Sequence, residues 1–125
     1  MEKILNIDGH QVPFKSTGAF LLRYKSQFGR DALEDIYKIQ NTPKQEKAAS
    51  MEELEIYFNF AWTLAKTADL TIKPPMEWLD EFDTFPIGDI LSDINELIFS
   101  CLFPSVESKK KWKMRNLLAR SPQKN

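Results

Sequence analysis

His10 is the chain's single histidine and Cys101 its single cysteine, so the side chains that carry most protein chemistry are scarce. A tetrahedral zinc centre built from Cys and His needs four such ligands, which this chain does not contain. A Ser-His-Asp triad would have to use His10, which stands just after an Asp8-Gly9 pair, a poor position for a general base. His10 therefore reads as a surface residue. Cys101 sits in the apolar run IFSCLF and reads as a small buried hydrophobe. One cysteine excludes a disulfide framework within the chain, which fits a reducing cytosol. Asp80, Glu81 and Asp83 bring three carboxylates close together. Calcium loops place oxygen ligands at alternate positions around a Gly turn, whereas this stretch has no Gly and is interleaved with large apolar groups. It reads as the acidic outer face of a short helix. The chain has four glycines, and they form no phosphate-binding cluster. The expectation is a protein with no catalytic residues, no cofactor and no metal, that is, not an enzyme.

Charge is unevenly placed. Residues 107–125 hold seven Lys/Arg and one acid, a balance of +6, while residues 1–106 hold ten Lys/Arg and seventeen acids, a balance of −7. The basic cluster Lys109, Lys110, Lys111, Lys113 and Arg115 surrounds Trp112. Cations interleaved with an aromatic suit single-stranded nucleic acid, and this supports an alternative reading as a small regulatory or nucleic-acid-associated protein. The acidic remainder would repel phosphates, which disfavours that partner. Attraction between basic tails and acidic bodies of neighbouring copies is a further option. The N-terminal sequence lacks the apolar core of a signal peptide, and no apolar run approaches the length of a membrane span.

Around these residues the chain divides cleanly. Ile4, Leu5 and Ile7, then Asp8-Gly9, then Val12 and Phe14 predict a β-hairpin over 3–15. Pro13 places its strand at an edge, where a partner strand can add. Phe20, Leu21, Tyr24 and Phe28 predict an amphipathic helix opened by Ser16 or Thr17 and stopped by Gly29. Asp31 is placed to cap a second helix carrying Leu33, Ile36, Tyr37 and Ile39, which ends at Asn41 and Pro43. Residues 41–49 read as a polar loop.

Met51–Leu70 is the organising element. Leu54, Tyr57, Phe58, Ala61, Ala65 and Ala68 recur along one face, with Ile56, Phe60 and Leu64 beside them and Trp62 widening the stripe. Apolar groups over most of the circumference predict a helix packed on several sides, and Ser50 with Glu53 has the capping-box spacing. A short helix follows Pro74-Pro75 and carries Trp78, Leu79 and Phe82. Thr84 is placed to cap a last helix from Pro86 to Leu102 with the stripe Ile87, Ile90, Leu91, Ile94, Leu97, Ile98, Cys101 and Leu102. The expected fold is α+β, predominantly α: an N-terminal hairpin on a bundle of about five helices. Residues 1–104 form one domain and 105–125 a basic, flexible tail. Aromatic groups are numerous, and Phe58, Trp62, Trp78, Phe82, Phe85 and Ile87 are the candidates for an apolar protein-binding surface.

The succession KILNIDGHQVPFKSTGA, LLRYKSQFGRDALEDI, IYFNFAWTLAKTAD and PPMEWLDEFDTFPI resembles the tail assembly chaperones of long-tailed phages and prophages of Gram-positive bacteria. The resemblance covers residues 3–103, and its most specific pieces are FGRD at 28–31, AWTLAKTAD at 61–69 and WLDEFDTFPI at 78–87. None of these is a catalytic motif. The resemblance implies a non-enzymatic protein of virion assembly that self-associates and coats the tape measure protein in the host cytoplasm until tail tube subunits polymerise. It implies absence from the mature virion, and a frameshifted longer form that contacts the tail tube protein; this chain would be the short form.

Overall fold

Asp8 and Gly9 both adopt positive φ, 56° and 81°, so the chain reverses in a two-residue turn whose twist matches that of its flanking strands. The computed structural model describes residues 1–40, 50–105 and 110 of the 125-residue chain. The expected loop at 41–49 lies outside the described residues, as does the tail beyond Ser105 except for Lys110. Strand β1 is Glu2–Ile7 and β2 is His10–Lys15, paired antiparallel with Ile7 opposite His10 and Lys3 opposite Phe14. Met1 and Ser16 exchange backbone hydrogen bonds as the last rung. Counting from that rung by twos, Lys3, Leu5 and Ile7 point their backbone groups at β2, and so do their partners at β1. Pro13, opposite Ile4, falls in the alternate set, so its missing N–H costs the ladder nothing.

Helix α1 is Phe20–Phe28, α2 is Ala32–Gln40, α3 is Met51–Ala68, α4 is Pro75–Leu79 and α5 is Leu91–Leu102, preceded by a 3-10 turn at Ile87–Ile90. The fold is α+β and predominantly α, a hairpin against five α-helices among the described residues. Gly29 stops α1 in the left-handed conformation, φ 66°, with its N–H donating to the Lys25 carbonyl. Asp31 caps α2 through its carboxylate, which accepts from the Leu33 N–H at 2.9 Å. Ser50 and Glu53 make the reciprocal capping box at the start of α3. Ser50→Ala should therefore cost about 1 kcal/mol in a urea melt without changing the helix content of the native state.

Three boundaries differ from the sequence reading. Helix α1 begins at Phe20 and not at Ser16 or Thr17: Ser16 is held in the hairpin's last rung, and the Thr17 hydroxyl accepts from the Ala19 N–H in a local turn. Helix α4 stops at Leu79 because the Glu81 and Phe82 amides bond three residues back in a tighter turn. Thr84 does not cap the last helix. That segment opens with a γ-turn, the Ile87 N–H donating to the Phe85 carbonyl, and then a 3-10 turn in which the Asp89 N–H donates to the Pro86 carbonyl, so these amides need no hydroxyl.

Helix α3 is the centre. Ile56, Tyr57 and every residue from Phe60 to Ala65 are buried, covering its whole circumference over nearly two turns. Strand β2 lies on it most extensively, with α1, α2 and α5 on its other sides. Ala61 and Ala65 carry little bulk on this helix, which lets a neighbour come close. Ile94, Leu97 and Ile98 of α5 complete one core with Ile7, Phe14, Phe20 and Tyr24. Cys101 is only half-buried, at the end of the α5 stripe; its thiol donates to the Ile98 carbonyl, and burial pushes its pKa up.

Two polar joins tie these elements together. Lys3 reaches from the inner face of β1 to Asp93, at 2.8 Å, and to Glu96 on α5. Asp35 of α2, its side chain only 2% exposed, accepts two hydrogen bonds from Arg30 and one from the Tyr24 hydroxyl at 2.6 Å. Burial by itself would push the Asp35 carboxyl up, but the Arg30 and Tyr24 hydrogen bonds and the Arg30 charge outweigh it, so the carboxyl stays below its ordinary value.

Candidate protein-binding surface

Pro74 and Pro75 start α4, with Pro75 at the first helical position, where no amide is needed. The short helix turns Trp78 into the core, where it is 3% exposed. The tight turn beyond Leu79 then brings Phe82 and Phe85 against it, with ring centroids 5.4 Å and 5.5 Å from Trp78, both edge-on. Phe82 and Phe85 also meet each other at 5.6 Å, and Phe58 of α3 meets Phe85 at 5.7 Å. Such tilted and edge-on pairs each contribute about 0.5–1.5 kcal/mol beyond their burial. Four of the six candidates singled out by residue type thus form one cluster. Ile87 adjoins it through its amide, which donates to the Phe85 carbonyl at 2.8 Å.

The cluster is graded from inside to outside. Trp78 is its floor, while Phe58, Phe82, Phe85 and Ile87 remain half-buried and keep apolar surface towards solvent. Asp80, Glu81 and Asp83 are exposed beside them. This is the acidic outer face expected from the sequence, although it belongs to a turn more than to a helix. The loop is fastened at its far end: the Asp83 N–H donates to the Asp8 carboxylate of the hairpin turn at 2.9 Å. His10 is exposed and stands edge-on to Phe82 at 5.6 Å, its Nδ1 3.3 Å from the Ile7 carbonyl oxygen. A groove of about 250 Å³ runs between the hairpin, the end of α3 and α4, lined both by apolar Val12, Ile72 and Phe82 and by polar Gln11, Asp69 and Glu81.

Trp62 lies elsewhere. It is 5% exposed, packs edge-on against Phe28 at 5.8 Å and donates its indole N–H to the Lys73 carbonyl at 2.9 Å. Its ring belongs to the core with Phe20, Tyr24 and Phe60, and the Lys66 ammonium lies 5.9 Å from the ring centroid. Of the basic candidates Lys109, Lys110, Lys111, Trp112, Lys113 and Arg115, only Lys110 is within the described residues, and it is exposed. Among the described residues no three His, Cys, Asp or Glu side chains come together as a metal site, and no helix is long and apolar enough to cross a membrane.

The sequence reading missed the roles of Asp8 and His10 at this surface. They stand more than seventy positions from the loop they touch, and no local spacing signals a contact of that range. No family model matches the chain, and no curated protein or solved structure is found similar to it.

Proposed function

We propose that this chain is a non-enzymatic phage tail assembly chaperone that self-associates and binds the tape measure protein. In this reading it holds that partner soluble in the host bacterial cytoplasm until the tail tube polymerises, and stays out of the mature virion. A frameshifted longer form brings in the tail tube protein. Residues 1–104 are the working body and the basic segment is an appendage. The sequence resemblance suggests the role, and one structural observation supports it: the half-buried rings of Phe58, Phe82 and Phe85, with Ile87, on the fixed floor of Trp78. Accessible rings on a rigid base suit the apolar stripe of a partner helix. Exposed carboxylates beside them limit unspecific association of the rings. A small patch gives each copy a modest affinity, and many copies along one partner give a strong but dissociable total.

The test is co-expression with the tape measure protein of the same tail gene cluster. The wild-type chain should bring it into the soluble fraction and co-purify at moderate salt. The double variant Phe82→Ala/Phe85→Ala should fold, since Trp78 keeps the floor, and bind at least about tenfold more weakly. If the tape measure protein stays insoluble with the wild-type chain, the proposal is overturned. If, in addition, the purified chain shifts a DNA or RNA probe in a salt-sensitive manner, lost on neutralising Lys109–Lys111, Lys113 and Arg115, the nucleic-acid reading takes its place.

A further inference from the structure

The two edges of the hairpin are not equivalent. Because Met1–Ser16 is a hydrogen-bonded rung, the backbone groups of Glu2, Ile4 and Asn6 on β1, and of Gln11, Pro13 and Lys15 on β2, point away from the ladder. On β2 the middle position is proline, which has no donor and interrupts any added strand. On β1 all three positions carry both donor and acceptor, and none of these backbone groups has a partner among the described residues. The side chain at the middle of that edge is Ile4, 67% exposed on the outer face of the hairpin. A long exposed strand edge with an apolar centre is a template for another strand.

We propose that β1 pairs antiparallel, edge to edge, with β1 of a second copy of this chain, making a continuous four-stranded sheet about a two-fold axis at Ile4. The self-complementarity of the strand selects the occupant. With Ile4 opposite its own counterpart, Glu2 falls opposite Asn6, so the outward backbone groups of each strand meet those of the other and the two exposed isoleucines cover each other. On the inner face the same register puts Lys3 opposite Leu5. Shifting by two residues one way sets Ile4 against Glu2, and shifting the other way sets Ile4 against Asn6; in both, the two exposed Ile4 side chains no longer cover each other. Lys3 is already neutralised within its own chain by Asp93 and Glu96. Pairing about one axis closes at two copies, because the outer β2 edges present Pro13 and stop further growth. The contact is small, so association is weak and concentration-dependent. It does not depend on the chaperone reading and is tested on the purified chain alone.

Amide hydrogen exchange and sedimentation, from micromolar to millimolar protein, test it. The amides of Glu2, Ile4 and Asn6 should exchange freely when dilute and slow by about tenfold or more as the mass doubles, while Gln11 and Lys15 stay fast. Ile4→Pro removes one outward donor without touching a ladder bond, and should remain monomeric with an unchanged circular dichroism spectrum. Leu22→Lys, at an equally exposed site on α1, should dimerise like the wild type. A chain that stays monomeric at millimolar concentration overturns the proposal, and so does a dimer that leaves the β1 amides unprotected. The exchange measurement uses the unmodified chain, so it decides the matter even if Ile4→Pro fails to fold.

Discussion

Phe60→Ala is expected to destabilise the fold by about 3–5 kcal/mol, the cost of a buried aromatic removed with its cavity left open. Phe60 is 1% exposed and is the point where three other rings meet: Tyr24 at 5.1 Å, Phe20 at 5.7 Å and Tyr57 at 6.2 Å. Those neighbours come from both α1 and α3, and the rigid packing on all sides of α3 leaves little freedom to collapse into the space. A typical domain has about 5–15 kcal/mol in total, so the variant should be largely unfolded well below the wild-type melting temperature. Equilibrium urea denaturation followed by far-UV circular dichroism checks this. A loss under 1.5 kcal/mol would mean that the core around Phe60 repacks, against the geometry described.

That this helix is central was legible in the sequence, because its signals are local: a 3.6-residue period of large groups and a Ser50–Glu53 pair at capping distance. The hairpin was legible for the same reason, through Asp8-Gly9. What the sequence could not say was which aromatic residues remain accessible. Trp62 and Phe58 lie four residues apart on one helix, yet Trp62 is covered by Phe28 while Phe58 keeps an outward surface. That distinction is made by distant elements and not by spacing. Helix starts were least legible where a side chain had competing partners, as at Ser16, whose hydroxyl meets that of Ser100.

Arg30→Ala is expected to cost about 3 kcal/mol, the lower end of the range for breaking a buried ion pair, since the Arg30 side chain is 37% exposed. It leaves the buried Asp35 carboxylate with the Tyr24 hydroxyl as its remaining side-chain hydrogen-bond donor among the described residues. Tyr24→Phe should cost less, about 1.5–3 kcal/mol for one hydrogen bond to a charged group. The sign with pH follows from the lowered Asp35 pKa. Its contribution is fully present above the unfolded value of about 4 and is lost as pH falls through the lower folded value. The stability gap between wild type and Arg30→Ala should therefore be widest at neutral pH and narrow below about pH 4. Urea titrations at pH 7 and pH 3 measure it; equal gaps would place the contribution elsewhere. Asp35 carried a readable sign in the sequence. It follows Ala32 by three positions and precedes Ile36 by one, so it sits on the buried stripe of α2, where an acid requires a partner.

The tie from Lys3 to Asp93 and Glu96, and that from Ser16 to Ser100, join the first of the described elements to the last. On a translating ribosome the hairpin emerges before α3, on which β2 lies, and before α5, which carries its side-chain ties. At about 5–20 residues per second, the stretch between Lys15 and Ser100 takes roughly 4–17 s to synthesise. Throughout that interval the hairpin lacks its ties to α5, so the fastening of these two elements to each other waits for the synthesis of α5.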